Sequence, residues 1–234
     1  MAQELPYRTA LIVGAGPGLS ASLARSLRHE GMKVGLVARD AGKLAGLAKD
    51  IGAETFSADA SDPAVVARLF EEVDGRFGEP DLVIYNASAR MPGTLAELDP
   101  DAVRKAIDIS AFGGFLVVQQ AARRMLRHRH GAILLTGATA SVKGFARSTA
   151  FAMGKFALRG LAQSAARELA PQGIHVAHVV IDGGIRSATR PDPADRPDSL
   201  LDPDAIAQTY LALLRQPRSA WTWEIEVRPW TETF

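Results

Sequence analysis

The chain has 234 residues, 47% of them hydrophobic and 23% charged, enough for one substantial core and hence one domain spanning residues 1–234. A net charge of +1, with acidic and basic residues interspersed, leaves no nucleic-acid footprint and no electrostatic membrane partner. The absence of cysteine excludes disulfides, thiolate catalysis and cysteine-ligated metals, and no metal site is predicted. In chain order, Met1 to Pro6 lacks the basic segment and apolar stretch of a signal peptide, and no later apolar run approaches membrane-spanning length. A cytoplasmic protein is expected. Arg8 to Val13 reads as a strand ending in glycines, and Pro17 to His29 as a helix with Leu19, Leu23 and Leu27 on one face. Lys33 to Ala38 is a second strand, followed by a helix from Ala41 to Asp50 and a strand over Glu54 to Ser57. Ser61-Asp62-Pro63 opens the next helix with a cap and a first-turn proline. Asp81 to Tyr85 is a strand. Asp99-Pro100 then opens a long helix reaching about His128, with a weak point at Gly113-Gly114. A strand at Ala132–Thr136, a helix at Thr149–Ala170 and a strand at His175–Ile181 follow. Arg190 to Pro203, rich in proline and aspartate, breaks the pattern, and a lid over residues 188–203 is expected there. Ala205 to Leu214 is helical, and Trp223 to Val227 can form a last strand. Repeated β-α-β units of this length predict an α/β fold, a doubly wound parallel sheet of Rossmann type.

The first chemical signal is Gly14-Ala15-Gly16-Pro17-Gly18-Leu19-Ser20, placed after a strand and at the start of a helix. Close backbone passage there lets helix N–H groups and the positive end of the helix dipole face a pyrophosphate. The second signal is Arg39 at the end of the second strand, where such domains meet the adenosine ribose. A planar cation at that point suits the 2′-phosphate of NADP better than the ribose hydroxyls of NAD, and Asp40 lies one position late for a hydroxyl acceptor. A solvated Arg39 paired with Asp40 is the plainer alternative.

Phe151-Ala152-Met153-Gly154-Lys155 resembles the Tyr-x-x-x-Lys signature of the short-chain dehydrogenase/reductase family, with phenylalanine in the tyrosine's place. The resemblance extends over nearly the whole chain. The family's Gly-x-x-x-Gly-x-Gly falls on Gly14, Gly18 and Ser20. Asp59-Ala60 resembles the pair that contacts adenine, and Tyr85-Asn86-Ala87-Ser88 the Asn-Asn-Ala-Gly turn after the fourth strand. Ile181-Asp182-Gly183-Gly184-Ile185-Arg186-Ser187 resembles the loop that holds the nicotinamide amide, with Asp182 where the family has proline. The resemblance therefore implies cofactor binding by Gly14, Gly16, Gly18, Leu19, Arg39, Asp59, Ala60, Asn86, Ala87, Lys155, Gly183, Ile185 and Ser187.

The family builds its catalytic tetrad from asparagine, serine, tyrosine and lysine. Here Ser110 stands in the asparagine's place, Ala138 or Thr139 in the serine's, and Phe151 in the tyrosine's; Lys155 is retained. Of the serine's two counterparts only Thr139 can hydrogen-bond a substrate oxygen. In the family the lysine binds the nicotinamide ribose and lowers the tyrosine pKa; the first role survives in Lys155 and the second has no object. No replacement acid stands out. Tyr7, Tyr85 and Tyr210 are the only tyrosines and lie off the Lys155 helix. Asp182 falls near the nicotinamide by family register and has Arg186 as a candidate partner. His175 and His178 sit on one strand facing opposite sides, as structural histidines. The resemblance implies an NADP(H)-dependent oxidoreductase acting on a small carbonyl, imine or activated alkene through an atypical proton donor. An inactive NADP(H)-binding sensor or oligomer partner, and a same-fold epimerase or dehydratase, are the other readings. The helices Asp101–His128 and Thr149–Ala170 correspond to those that pair family subunits, so a homodimer or homotetramer is expected. The tail from Trp221 to Trp230 gathers all three tryptophans as interface anchors or as part of a buried terminal strand.

Overall fold

A computed structural model describes residues 4–232; Met1 to Gln3, which belong to the stretch read as lacking a leader, lie outside the described residues. Seven strands form one parallel sheet: β1 Thr9–Val13, β2 Lys33–Ala38, β3 Glu54–Ser57, β4 Leu82–Tyr85, β5 Gly131–Thr136, β6 Ile174–Ile181 and β7 Glu224–Val227. Their spatial order is β3-β2-β1-β4-β5-β6-β7. The chain runs outward one way from β1 through β2 and β3, then returns to β4 on the other side of β1. That reversal opens a crevice beyond the carboxyl ends of β1 and β4, where doubly wound sheets bind ligands.

Both faces of the sheet are covered because its strands are apolar on both faces. In β1, Ala10 and Ile12 face a cluster that includes Leu19, Leu23 and Leu27 of α1 (Leu19–His29) and Tyr210 of α7 (Pro203–Leu214). Leu11 and Val13 face the opposite cluster, with Phe70 of α3 (Pro63–Phe77), Val117 of α5 (Gly113–His128) and Leu158 of α6 (Thr149–Leu169). Two predicted helix openings hold: the Asp62 carboxylate accepts from the N–H groups of Ala64 and Val65 ahead of Pro63 in α3, and Asp99 caps α4 (Pro100–Ile107) in the same way. Asp202 caps α7, which starts at Pro203, two residues before the expected Ala205 and inside the stretch read as breaking the pattern. The segment predicted as one helix from Ala41 to Asp50 divides into a 3₁₀ turn over Ala41–Leu44 and α2 over Ala45–Ile51.

One expectation is corrected. The break in the long helix falls not at Gly113-Gly114 but one turn earlier, in a π-helical turn over Asp108–Phe112 that joins α4 to α5. The two glycines are helical and serve close packing instead. A Cβ on Gly113 would come within 2.6 Å of the Tyr85 hydroxyl, and one on Gly114 within 2.5 Å of Leu158. The Tyr85 hydroxyl donates to the carbonyl of Ile109 within the π turn, which pins the widened turn to the end of β4.

Among the described residues no helix is long and apolar enough to cross a membrane. Two of the three tryptophans are packed within the chain. Trp221 stacks on His175 with ring centroids 4.9 Å apart, and Trp223 lies beneath the Arg159 guanidinium; Trp230 is exposed.

Candidate active site

A cleft of about 690 Å³ occupies the crevice at the β1–β4 switch. Its lining brings together Gly14, Gly16, Arg39, Asp59, Ala60, Asn86 and Ala87, seven of the residues singled out from the sequence. Gly14 has φ +87°, and a Cβ there would sit 2.3 Å from the Ala87 nitrogen, so only glycine lets the turn after β1 pass the turn after β4. Around Gly16 and Gly18, by contrast, a Cβ would meet nothing within 4 Å, which leaves room for a ligand against the backbone. Gly18 is the N-cap of α1 and offers no side-chain cap to the first-turn N–H groups beginning at Leu19, and no acidic residue occupies that turn. Ser20, the residue in place of the third family glycine, is buried; its hydroxyl donates to the Gly14 carbonyl at 3.2 Å and accepts from the Asn86 amide at 2.6 Å. Serine at this point therefore ties the glycine turn to the end of β4.

Arg39 lines the other side of the cleft, beyond β2. Of its plainer alternative the pairing is not seen, since Asp40 accepts from the Gly42 N–H at 3.1 Å and pairs with Lys43 at 3.7 Å, but Arg39 is exposed as that alternative has it. Asp59 accepts from the Ser61 N–H at 3.0 Å and its hydroxyl at 2.6 Å. These bonds, helped by the Arg39 and Lys105 charges, hold its pKa below the usual carboxylate value.

The second group lies beyond β4 and β5. Lys155 is 3% exposed, and its Nζ donates to the Thr136 carbonyl at 2.7 Å. Burial, reinforced by the nearby Arg90 charge, pulls its pKa from 10.5 down to about 8. One helical turn earlier, Phe151 is buried with its ring centroid 5.9 Å from Nζ. Ser110 is fully buried in the π turn; its hydroxyl accepts from the Ala89 N–H at 3.1 Å, and Gly154 leaves it room, since a Cβ there would lie 2.6 Å from the Ser110 Cβ. Thr139 begins the 3₁₀ turn Thr139–Ser141 after β5 and is half-buried, while the Ala138 N–H donates to the Ser141 hydroxyl at 3.1 Å.

Gly183, Ile185 and Ser187 sit in the loop after β6, off the lining of the cleft. Gly183 has φ +143° and packs close to Leu201 and Pro229. Ile185 bridges to Leu201, and Ser187 exchanges backbone hydrogen bonds with Arg190. Asp182 does not pair with Arg186. It meets Arg228 at 3.0 Å, because Arg186 is turned towards Asp192 and Asp202. Residues 188–203 are tied to the loop after β6 and to one another: the Arg190 guanidinium lies against the Gly184 α-carbon, and Asp192 accepts from the Leu200 N–H at 3.0 Å.

None of the three tyrosines lines the cleft, and burial raises the pKa of each. Tyr85 is spent on Ile109, and Tyr210 shares a hydrogen bond of 2.8 Å with Thr136. His175 bonds the Thr222 carbonyl and His178 the Glu224 carboxylate, and burial lowers both of their pKa values, His178 to about 4. Each is bonded through one ring nitrogen only: His175 Nδ1 and His178 Nε2 are buried without a hydrogen-bond partner among the described residues, so neither is the fully satisfied histidine that the strand pattern suggests.

Lys105 and Arg90, both cations of the lining, were missed in the sequence, and Arg90 bears on Phe151. Arg90 lines the cleft, and its guanidinium carbon lies 4.6 Å from the centroid of the Phe151 ring. Its only signal was its place four residues after Asn86, directly following the turn at the end of β4.

A parallel sheet reversing at β1, a glycine cradle at the switch and a buried lysine one turn after the ring that faces it define a dinucleotide-binding enzyme fold. Residues 8–194 match the short chain dehydrogenase family, and the chain belongs to that family. It is 29% identical over 235 residues to an uncharacterized oxidoreductase of Staphylococcus saprophyticus, covering 97% of this chain and 99% of that protein. An uncharacterized oxidoreductase of Staphylococcus aureus is 30% identical, with 96% and 98% covered. Among solved structures, a short-chain dehydrogenase from Rhodopseudomonas palustris is 36% identical with a TM-score of 0.82 over 95% of this chain and 99% of that one. A metagenomic short-chain oxidoreductase in complex with NADP is 27% identical, with a TM-score of 0.85 over 97% and 99%.

Proposed function

We propose that the chain is an NADP(H)-dependent oxidoreductase in which Phe151 replaces the family's tyrosine and the proton donor is atypical. The observation that carries the cofactor is the cradle at Gly14. It is closed against Ala87 so tightly that no side chain fits, yet open at Gly16 and Gly18, with Arg39 unpaired beyond β2 among the described residues. Gly14 to Leu19 would hold the pyrophosphate, Arg39 the 2′-phosphate, Asp59 and Ala60 the adenine, and Asn86 and Ala87 the turn beneath it. Lys155 would bind the nicotinamide ribose, and Gly183, Ile185 and Ser187 the carboxamide. Bound there, the nicotinamide supplies a hydride to a carbonyl, imine or activated alkene, or accepts one from the reduced product.

The chain's own part is positional and electrostatic. Phe151 offers an apolar ring and no proton. Lys155, its charge strained by burial, presents a cation behind that ring, and Thr139 offers a hydroxyl at the end of β5. Ser110 fixes Ala89, and so the chain entering Arg90, by its hydrogen bond. Residues 188–203 act as the lid. We place the protein in the cytoplasm as a homodimer or homotetramer paired through α5 and α6, where Phe115, Met153 and Phe156 are exposed. An inactive sensor is less well supported, because a nucleotide sensor has no use for a buried lysine held beside the nicotinamide site. The test is direct titration with NADPH and NADH, followed by a screen of NADPH oxidation against aldehydes, ketones, imines and enones. Failure to bind either cofactor would refute the proposal. Binding without turnover across the panel would favour the sensor.

A further inference from the structure

Arg90 is a cation without a counter-ion. It makes no hydrogen bond or ion pair among the described residues, and its contact is the face of Phe151 at 4.6 Å. The Lys155 ammonium lies 5.9 Å from the centroid of the same ring, and the two charges are close enough that Arg90 depresses the lysine's proton affinity. The cleft's carboxylates are engaged elsewhere. Asp40 caps the 3₁₀ turn and meets Lys43, and Asp59 is bonded to Ser61. Those two, with Arg39, follow β2 and β3, whereas Arg90 follows β4 on the far side of β1. Arg90 is thus set apart from the groups suited to the 2′-phosphate. Two cations converging on one apolar ring, with no acid to neutralise them, form a site for an anion. A guanidinium held over an aromatic face by cation–π attraction can still offer N–H donors to a planar, bidentate acceptor.

We propose that Arg90 binds the carboxylate of an oxo-acid substrate, so that the enzyme acts on carbonyl compounds carrying a carboxylate close to the reacting carbon. The proposal rests on the oxidoreductase reading for the role of the carbonyl, but the carboxylate site stands on Arg90 and Phe151 alone. Phe151 seats the guanidinium on an apolar ring, where the family's tyrosine would present a phenol. Arg90 is in this sense a specificity-determining residue and not a proton donor, since a guanidinium does not give up its proton in the working pH range.

The test uses matched pairs, benzoylformate with its methyl ester and levulinate with its methyl ester. Binding to the purified protein is measured by calorimetry with and without NADPH, and KM and kcat are measured separately. A charge-assisted bidentate contact corresponds to a preference of about tenfold to a hundredfold for at least one acid over its ester. Arg90→Met should remove that preference, and Arg90→Lys should keep part of it. In turnover the loss should fall on KM more than on kcat. NADPH affinity should be the same in the Arg90→Met variant as in the unmutated protein. Acids and esters bound equally well by the unmutated protein would overturn the assignment, as would an acid preference that survives Arg90→Met. Equal loss of NADPH and acid affinity in that variant would place Arg90 on the cofactor and overturn it too. Acid binding that depends on Arg90 in a protein that ignores NADPH would support the carboxylate site while refuting the oxidoreductase reading.

Discussion

Lys155→Met should make the protein more stable at neutral pH while removing its grip on the cofactor. An unfolded lysine titrates near 10.5, and the folded one at about 8, chiefly because burial disfavours the charge. Between those values the unfolded chain binds more protons than the folded one, so stability rises with pH through this window. Below pH 8 the full opposition to folding is present, about 3 kcal/mol for a displacement of this size. Methionine has a similar shape and no charge, but it gives up the 2.7 Å hydrogen bond to the Thr136 carbonyl, worth about 1 kcal/mol. The variant should therefore gain about 2 kcal/mol at pH 7 and lose that advantage by about pH 10. Urea unfolding of both proteins at pH 7, 8.5 and 10 measures the difference, and other groups titrating in the window cancel in the comparison. A gap that does not shrink with rising pH, or a variant less stable at pH 7, would refute the view that Lys155 is held as a strained cation.

Arg39→Ala should abolish a preference for NADPH over NADH while sparing NADH affinity, as read by fluorescence titration; equal affinities in the unmutated protein would defeat the role given to Arg39. Phe151→Tyr should raise turnover on simple carbonyls by about a hundredfold or more if the site has only lost its acid, since Lys155 is already placed to lower the new phenol's pKa. A variant that binds NADPH normally and gains nothing across a broad ketone panel would point to a rebuilt site. Light scattering at micromolar concentration should report a dimer or tetramer, and Phe156→Glu on the exposed face of α6 should shift it towards monomer; a monomeric unmutated protein would remove that expectation.

Strand and helix order was legible because apolar runs and caps are local signals. Asp62-Pro63 and Asp99-Pro100 mark helix starts whatever lies around them, and both did so here. The cofactor cradle was legible for the same reason: Gly14 to Leu19 must be adjacent in sequence to be adjacent in space. The π turn was not, since Gly113-Gly114 carry the composition of a break while the actual irregularity is set by Tyr85, 24 residues before Ile109 and on the sheet, whose hydroxyl reaches it. Arg90 was missed because its meaning depends on Phe151, which the sequence separates from it and the fold brings beneath it. Asp182 was paired with the wrong arginine on the strength of proximity along the chain; parallel pairing of β6 with β7 delivers Arg228 instead.

The widened turn at Asp108–Phe112 also acts as a spacer between two helices. Ala102, Lys105, Ala106 and Ile109 turn a single stripe towards the cleft, whereas α5 directs Val117 and Ala121 into the core beneath the sheet. A π turn takes up one more residue than an α turn in nearly the same rotation, so the two stripes keep their facing while the turn gains a residue. From that one turn Ile109 offers its carbonyl to the Tyr85 hydroxyl and the Ser110 hydroxyl accepts from the Ala89 N–H. Shortening the stretch by one residue should undo these two contacts at the wall of the site while leaving the directions of α4 and α5 nearly unchanged.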